Sequence, residues 1–345
     1  MTTQPIQQVK PHGDIRKKCI AVFISLACTM GCFYWLRGGI IPLLDGNPSA
    51  PYFFSAKVTH NWVNPTMISR QLAMRLSGAW LKLFDPKDLL NETDLLMIND
   101  KNTGRKYGLH RIANANTPQL DFANVFAAYH AVFIGATLLL LALAVKEPLI
   151  PILGTVAGLL VNAAPNMHPF IFPWDMPDML LFTSAFLLYR SRRWLPLVGI
   201  IFIGGMMKES VLVTVFFLFG APWKVWPRLV AIAAIICAVQ FFNSLLIPVG
   251  GSQSWIADLG TKDVGRIYNL HKLFTPELPH AIFANAGGLA LLIWLMVTKI
   301  RDWPLLGVLA AYLSGEFCCG RIDEYRVWFE VLPMGWILIS EAMNG

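Results

Sequence analysis

Charge is what this sequence has least of. Only 14% of its 345 residues are charged, against 55% that are hydrophobic, and the mean hydropathy is +0.53. A soluble domain carries about 25% charged residues, so a bilayer is the expected solvent of this chain. Several chemical signatures are missing as well: a Gly-rich phosphate loop, an HExxH helix, a nucleophile elbow and a CxxC pair. No internal repeat is visible. The six cysteines, Cys19, Cys28, Cys32, Cys237, Cys318 and Cys319, lie in or beside apolar runs without metal-ligand spacing. Neighbours such as Cys318 and Cys319 are badly placed to close a disulfide or chelate one ion. They read as small apolar packing residues.

The formal charge of +7 is distributed in a telling way. Arg16, Lys17 and Lys18 precede the first apolar run. Arg190, Arg192 and Arg193 share one short loop, Lys224 and Arg228 another, Lys299 and Arg301 a third. Short basic loops between apolar runs mark the cytoplasmic side of a membrane protein and give no support to a nucleic-acid partner. The run after the polar segment 1–18 is too long for a signal peptide and lacks a small-residue cleavage site, so it reads as an uncleaved first span behind a cytoplasmic tail.

A span needs about 20 apolar residues, fewer where it is broken. Runs of that kind occur near 19–43, 122–145, 148–164, 177–189, 195–207, 211–221, 228–248, 281–298, 303–318 and 327–342. The expected fold class is therefore all-α: a polytopic membrane protein, one transmembrane domain over 19–345. With the N-terminus inside, these runs place Lys146 and the other basic turns on the cytoplasmic side, together with the C-terminus. Reading 195–221 as one span would move Lys224, Arg228, Lys299 and Arg301 outside, so a pair of short spans is preferred.

That topology leaves two extracytoplasmic loops, 44–121 and 249–280. In the first, Ile68, Leu72, Leu76 and Trp80 recur every four residues with Arg70, Gln71, Arg75 and Lys82 between them. This predicts an amphipathic helix over 67–84, either in the headgroup boundary or packing its stripe internally. Segment 91–118 is polar, with "KNTGRKYG" as an exposed turn.

The polar outliers collect on the same outer side. Lys208 and Glu209 interrupt "LPLVGIIFIGGMMKESVLVTVFFLF", and two readings are open: a self-compensating pair at a tight turn, or part of a site. In "PNMHPFIFPWDMPDMLLF", Asp178 falls in the first turn of a helix, where a carboxylate suits the dipole. Asp175 belongs to a turn stiffened by Pro173 and Pro177, as a positioned ligand would be. His168 has no second ligand at helical or loop spacing, which argues against a metal role. Asp45, in "LLDGNPSAP", is either a turn residue or the first acid of an outward site. In "GRIDEYRVWFEVLP", Arg321, Asp323, Glu324 and Arg326 either neutralise one another or present guanidinium forks to a phosphate. Glu330 lies well inside the apolar run.

Taken together these features resemble the GT-C superfamily of integral membrane glycosyltransferases, which use polyprenyl-phosphate-linked sugars. An acid (Asp45) follows the first span, a long outer loop carries a surface helix, and many short or broken spans follow. "FPWDMPDMLLFTSAFLLYRSRRWLPLVGIIFIGGMMKES" is similar to a bacterial pattern within that superfamily: a Pro-aromatic-Asp-x-Pro turn, a span, a basic turn, a span, then a Lys/Arg-Glu-Ser/Thr motif. "RIDEYRVWFEVLP" is similar to its terminal Glu-x-Arg-x-x-x-Glu-x-x-Pro pattern through Glu324, Arg326, Glu330 and Pro333. The chain departs from it in having no Asp-Glu or Asp-x-Asp pair after the first span and no sizeable soluble C-terminal domain.

The resemblance implies transfer of a sugar from a lipid phosphate to an acceptor (a glycan, lipid or protein) at the outer face of a bacterial-type inner membrane, with inversion at the sugar carbon. It implies Asp45 or Asp175 as the base and Lys208, Arg321 and Arg326 on the donor phosphate. Glu209, His168 and Glu324 would support them. A divalent metal is permitted but not required, and no other cofactor is implied. The competing classes are a lipid or solute transporter, and a non-catalytic subunit of a membrane complex.

Overall fold

The computed structural model describes residues 15–46, 70–84, 95–99, 106–110, 118–163, 174–246, 302–319 and 328–344. Along the chain they form α1 (Ile15–Gly46), α2 (Gln71–Phe84), β1 (Leu95–Asn99), β2 (Lys106–His110), α3 (Pro118–Ala144), α4 (Leu149–Ala163) and α5 (Asp175–Arg190). There follow α6 (Trp194–Met207), a 3-10 helix (Val211–Gly220), α7 (Val225–Leu246), α8 (Trp303–Cys319) and α9 (Leu332–Asn344). The architecture is helical, as expected. Among the described residues the exception is the hairpin in the long loop, where β1 and β2 pair antiparallel with Leu95 opposite His110 and Asn99 opposite Lys106. This corrects the turn expected at "KNTGRKYG": the second strand takes in its Lys106, Tyr107 and Gly108, and 100–105 lie outside the described residues. The short apolar run 95–98 gave too little alternation to announce a strand.

Proline explains where these helices begin. Each helix from α3 to α9 has a proline among its first three residues: Pro118, Pro151, Pro177, Pro196, Pro227, Pro304 and Pro333. The first amides of a helix have no intrahelical acceptor, so a residue without N–H costs nothing there, and its fixed φ already suits the helix. The same residue within a helix would break it.

Among the described residues, three helices contain stretches long and apolar enough to cross a membrane: Ile15–Gly38 in α1, Asn124–Ala144 in α3 and Val225–Leu246 in α7. Shorter apolar helices include Leu149–Leu160, Trp194–Met207 and Val211–Gly220. On α1 the exposed apolar residues Phe23, Leu26, Met30 and Tyr34 follow helical spacing and form one outward stripe. On α7 Val230, Phe241 and Leu245 are exposed in the same way. Such continuous apolar surface suits a hydrocarbon solvent, and association with a membrane follows. The apolar run 281–298 and the loop 249–280 lie outside the described residues.

In lipid there is little hydrophobic gain from helix contact, so close packing has to come from small residues. Gly154 and Gly158, one turn apart on α4, provide it against α9. A Cβ at Gly154 would lie 2.1 Å from Trp336 Cδ2, and one at Gly158 would lie 2.6 Å from Leu332 Cδ1. Gly154→Val is accordingly expected to cost about 1–3 kcal/mol by overpacking. Unfolding in detergent micelles would check this, and Ala157→Val, one residue before Gly158, serves as a control.

Ion pairs and hydrogen bonds define the two ends of the bundle. At one end Lys17 meets Glu147 at 3.2 Å, Arg190 meets Glu341 at 2.9 Å, and the Tyr189 hydroxyl donates to Asp302 at 2.6 Å. Arg228 donates to the Phe219 carbonyl at that end as well. The basic turns 190–193 and 224–228 thus gather together, and Arg192, at φ 56°, completes the sharp reversal after α5. At the other end Arg37 donates to Asn124 at 2.7 Å, Trp80 to the Val125 carbonyl at 3.1 Å and Arg75 to the Leu246 carbonyl at 3.2 Å. Residues 195–221 are two elements: the chain turns back at 208–210 and returns Gly220 to Tyr189, whose ring a Cβ there would meet at 2.7 Å.

The amphipathic helix is present as α2, and its apolar residues divide between two surroundings. Leu72 and Trp80 pack on the core, with Ala73 and Ser77 fully buried beside them, while Leu76, Leu83 and Phe84 face outward. The helix packs inward along one side and keeps an apolar edge on the other.

Candidate functional site

At the end opposite the basic turns, charged side chains from five parts of the chain converge. The turn 208–210 is where this begins. Lys208 ends α6 in an extended conformation, φ −158° and ψ 142°, with its amide donating to the Gly204 carbonyl at 2.9 Å. An extended residue sends its side chain to the opposite face from its neighbour. Lys208 therefore turns inward and bonds Glu330, whereas Glu209 turns outward and bonds Arg70. Gly204 permits the reversal, since a Cβ there would lie 2.3 Å from Val211. Of the two readings open for Lys208 and Glu209, the self-compensating pair is not the one that forms: each charge takes its partner from a distant element.

Lys208 and Glu330 are both buried, 7% and 1% exposed along their side chains. Burial works against the Lys208 ammonium, but the Glu330 carboxylate more than offsets it, so the lysine pKa is raised and the group stays charged. Glu330 accepts through Oε1 and leaves Oε2 without a hydrogen-bond partner among the described residues.

Arg70 stands just before α2 and forks onto Glu209. Its Nε donates to Oε2 at 3.1 Å, an Nη donates to Oε1, and the guanidinium lies 4.6 Å over the Trp174 ring. This contact fastens α2 to the turn and to the start of α5. Planar, bidentate and stacked, it is a contact that lysine cannot reproduce. Burial acts to raise the Glu209 pKa, and the Arg70 guanidinium overrides it, bringing the carboxyl from 4.5 to about 2. Because the folded value lies below the ordinary one, the pair contributes fully above about pH 4.5 and fades as pH falls towards about 2. Hydrogen-exchange protection of α2 is expected to hold down to about pH 5 and to drop below about pH 4. In Arg70→Lys the protection is expected to fall about tenfold at neutral pH, the loss of a charge-assisted fork.

α5 contributes the acids. Trp174, Asp178 and Phe182, spaced by four, share one face of it. Asp175 and Asp178 are 2% and 0% exposed. Asp178 is in the first turn of α5, as read from the sequence, whereas Asp175 opens that helix rather than ending the turn before it; Trp174 holds the N-cap position without a side-chain cap bond. Neither carboxylate oxygen of Asp178 has a hydrogen-bond partner among the described residues. The groups acting on it are Glu330, Lys208, Asp175 and Arg70, which places it inside the cluster. α8 adds Glu316 and Tyr312, both buried, with Tyr312 edge-on to Phe182 at 5.7 Å between centroids.

The described cluster is thus five carboxylates, Asp175, Asp178, Glu209, Glu316 and Glu330, against two cations, Arg70 and Lys208. No three His, Cys, Asp or Glu side chains gather into a metal-ligand set among the described residues. Chemically, the arrangement supplies carboxylates able to accept a proton and fixed positive charge beside them.

Of the residues singled out in the sequence, Asp175, Lys208 and Glu209 meet here. Asp45 is in the last turn of α1, beyond Arg37 at the same end. His168, Arg321, Glu324 and Arg326 lie outside the described residues. Four participants carried no assigned role in the sequence: Arg70, Asp178, Glu316 and Glu330. An acid within an apolar run was the available signal for Glu316 and Glu330. Arg70 had none, since a charge beside an amphipathic stripe is ordinary. Compared with family models, curated proteins and solved structures, the chain matches none.

Proposed function

We propose that this protein is a membrane glycosyltransferase that moves a sugar from a polyprenyl-phosphate donor to an acceptor at the extracytoplasmic face. The observation that carries this reading is the buried cluster of carboxylates and cations at the end of the bundle opposite the basic turns. With the basic turns inside, the chain would cross an inner (plasma) membrane about ten times, with both termini cytoplasmic and the cluster outward. Ionisable groups at such depth are costly and are retained where a cavity or ligand uses them.

In the proposed reaction the bond between the anomeric carbon and the phosphate oxygen breaks, and its electron pair leaves with the phosphate. The acceptor oxygen or nitrogen bonds to that carbon and releases a proton. Asp175 receives the proton, with Asp45 as the alternative base on the same end. Lys208 and Arg70, together with Arg321 and Arg326, supply positive charge for the departing phosphate. An ammonium has three donors, of which Glu330 takes one from Lys208, so the ion pair holds the lysine in place without consuming it.

One observation favours a second reading. The break at 208–210 joins two short apolar helices and carries a buried ion pair, as broken helices do in ion-coupled transporters. The test is incubation of purified protein with radiolabelled polyprenyl-phosphate sugars, comparing wild type with Asp45→Asn and Asp175→Asn. Release of polyprenyl phosphate with transfer of label is expected, lost in Asp175→Asn. Binding without transfer would favour the carrier, and neither binding nor transfer with any donor would refute both the enzyme and its donor class.

A further inference from the structure

The fork between Arg70 and Glu209 uses the edge of the guanidinium that a phosphate would need. Arg70 Nε donates to Glu209 Oε2 at 3.1 Å, and an Nη donates to Oε1. Parallel N–H groups meeting two oxygens of one anion is also how a guanidinium holds a phosphate. Glu209 thus sits where a phosphate on that edge of Arg70 would sit. Lys208 acts on the same carboxylate from the inner side of the turn, so an anion in that place feels both cations.

The two ion pairs that hold the turn 208–210 differ in how they can be opened. Lys208 and Glu330 are enclosed together, 7% and 1% exposed, and displacing that carboxylate would strand a buried charge. In the other pair Glu209 is the outer member, 40% exposed against 14% for Arg70. An anion arriving from outside the bundle meets Glu209 first, and the released carboxylate is not left buried. Arg70 keeps its position without it. The guanidinium stacks 4.6 Å over the Trp174 ring, and Asp175 and Asp178 act on it as well.

We propose that Glu209 is a built-in stand-in for phosphate: the phosphate group of the donor displaces it from Arg70, and its return helps to expel the phosphate product. This rests on the glycosyltransferase reading and specifies how its phosphate site is regulated. A carboxylate tethered beside Arg70 competes at high effective concentration, and the apparent phosphate affinity falls by the fraction of time that the edge is open.

Full-length protein in phosphatidylcholine nanodiscs is titrated with a short prenyl phosphate, inorganic phosphate and the matching prenyl alcohol, and sugar transfer is assayed on the same samples. Glu209→Gln is expected to bind prenyl phosphate at least about tenfold more tightly than wild type, about 1.4 kcal/mol. The gain is expected to vanish when Arg70→Lys is added, since lysine cannot fork, and to be absent with the alcohol. A gain with prenyl phosphate alone identifies a lipid-linked ligand, and one shared with inorganic phosphate a free phosphate; either supports exchange at Arg70. A wild-type measurement needs no variant to fold. The amides of Val211, Leu212 and Val213 donate to the carbonyls of 208–210, and their hydrogen exchange is expected to quicken when prenyl phosphate pulls Glu209 from its anchor. Unchanged or slower exchange there, or equal or weaker phosphate binding in Glu209→Gln, overturns the inference and makes Glu209 a positioning residue for Arg70. If wild type still transfers sugar in that case, the glycosyltransferase stands. A gain that persists in the double variant or with the alcohol overturns the assignment to Arg70. No phosphate binding and no transfer by any of these proteins overturns the inference and the reading beneath it.

Discussion

Lys208→Ala is expected to destabilise the folded protein by about 3–5 kcal/mol, the effect of leaving a buried charge without its partner. Glu330 is fully enclosed, its Oε1 is held by Lys208, and its other oxygen already lacks a hydrogen bond among the described residues. Removing the ammonium would strand a carboxylate beside Asp178, an acid already without a hydrogen-bond partner among the described residues. The pair need not be a net source of stability, since replacing both members with apolar groups is often neutral. Lys208→Met combined with Glu330→Leu is therefore expected to recover most of the loss while abolishing function. Chemical unfolding of both variants in micelles measures the coupling; a double variant as unstable as the single one would show that the pair is structural in its own right.

Asp175→Asn is expected to reduce transfer by about 10²–10⁴-fold, the span usual for loss of a positioned general base. The carboxamide keeps the shape of the carboxylate and loses its ability to take a proton. Asp175 is almost fully buried in the first turn of α5, held by the same Trp174 turn on which Arg70 stacks. The variant is expected to fold and bind donor, which separates it from Lys208→Ala. Undiminished transfer in Asp175→Asn, with loss in Asp45→Asn, would move the base to the end of α1.

Much of the architecture could be read in the chain because charge and proline bound its apolar runs. The expected span 122–145 becomes Pro118–Ala144, and 195–207 becomes Trp194–Met207, ended by the Lys208 break. Preferring two short elements to one at 195–221 required only that Lys224 and Arg228 stay with the other basic turns. The hairpin β1–β2 was not readable, because pairing between Leu95 and His110 is a cross-strand property that a short mixed segment does not announce.

The site was partly legible, and the reason lies in distance along the chain. Lys208 and Glu209 stood out as charges in an apolar run, yet adjacency pointed to each other as partners. The real partner of Lys208 is 122 positions away and that of Glu209 is 139 positions away. Asp178 satisfied every local criterion for a helix start, and only the packing of α3, α8 and α9 around α5 reveals that water does not reach it. Arg70 looked like the polar margin of a surface helix and is instead the tether that closes α2 over Trp174. In each case the local pattern was right about the element and silent about what the element faces.

Sided vesicles distinguish an outward-facing site for sugar transfer at the buried charges from one that faces the cytoplasm. Right-side-out and inverted membrane vesicles bearing the protein would be supplied with a radiolabelled polyprenyl-phosphate sugar in the exposed leaflet only, and transfer of label followed. Transfer is expected in right-side-out vesicles, with its loss in Asp175→Asn, and none in inverted ones. Transfer confined to inverted vesicles, or equal in both and indifferent to Asp175, would contradict the outward-facing site.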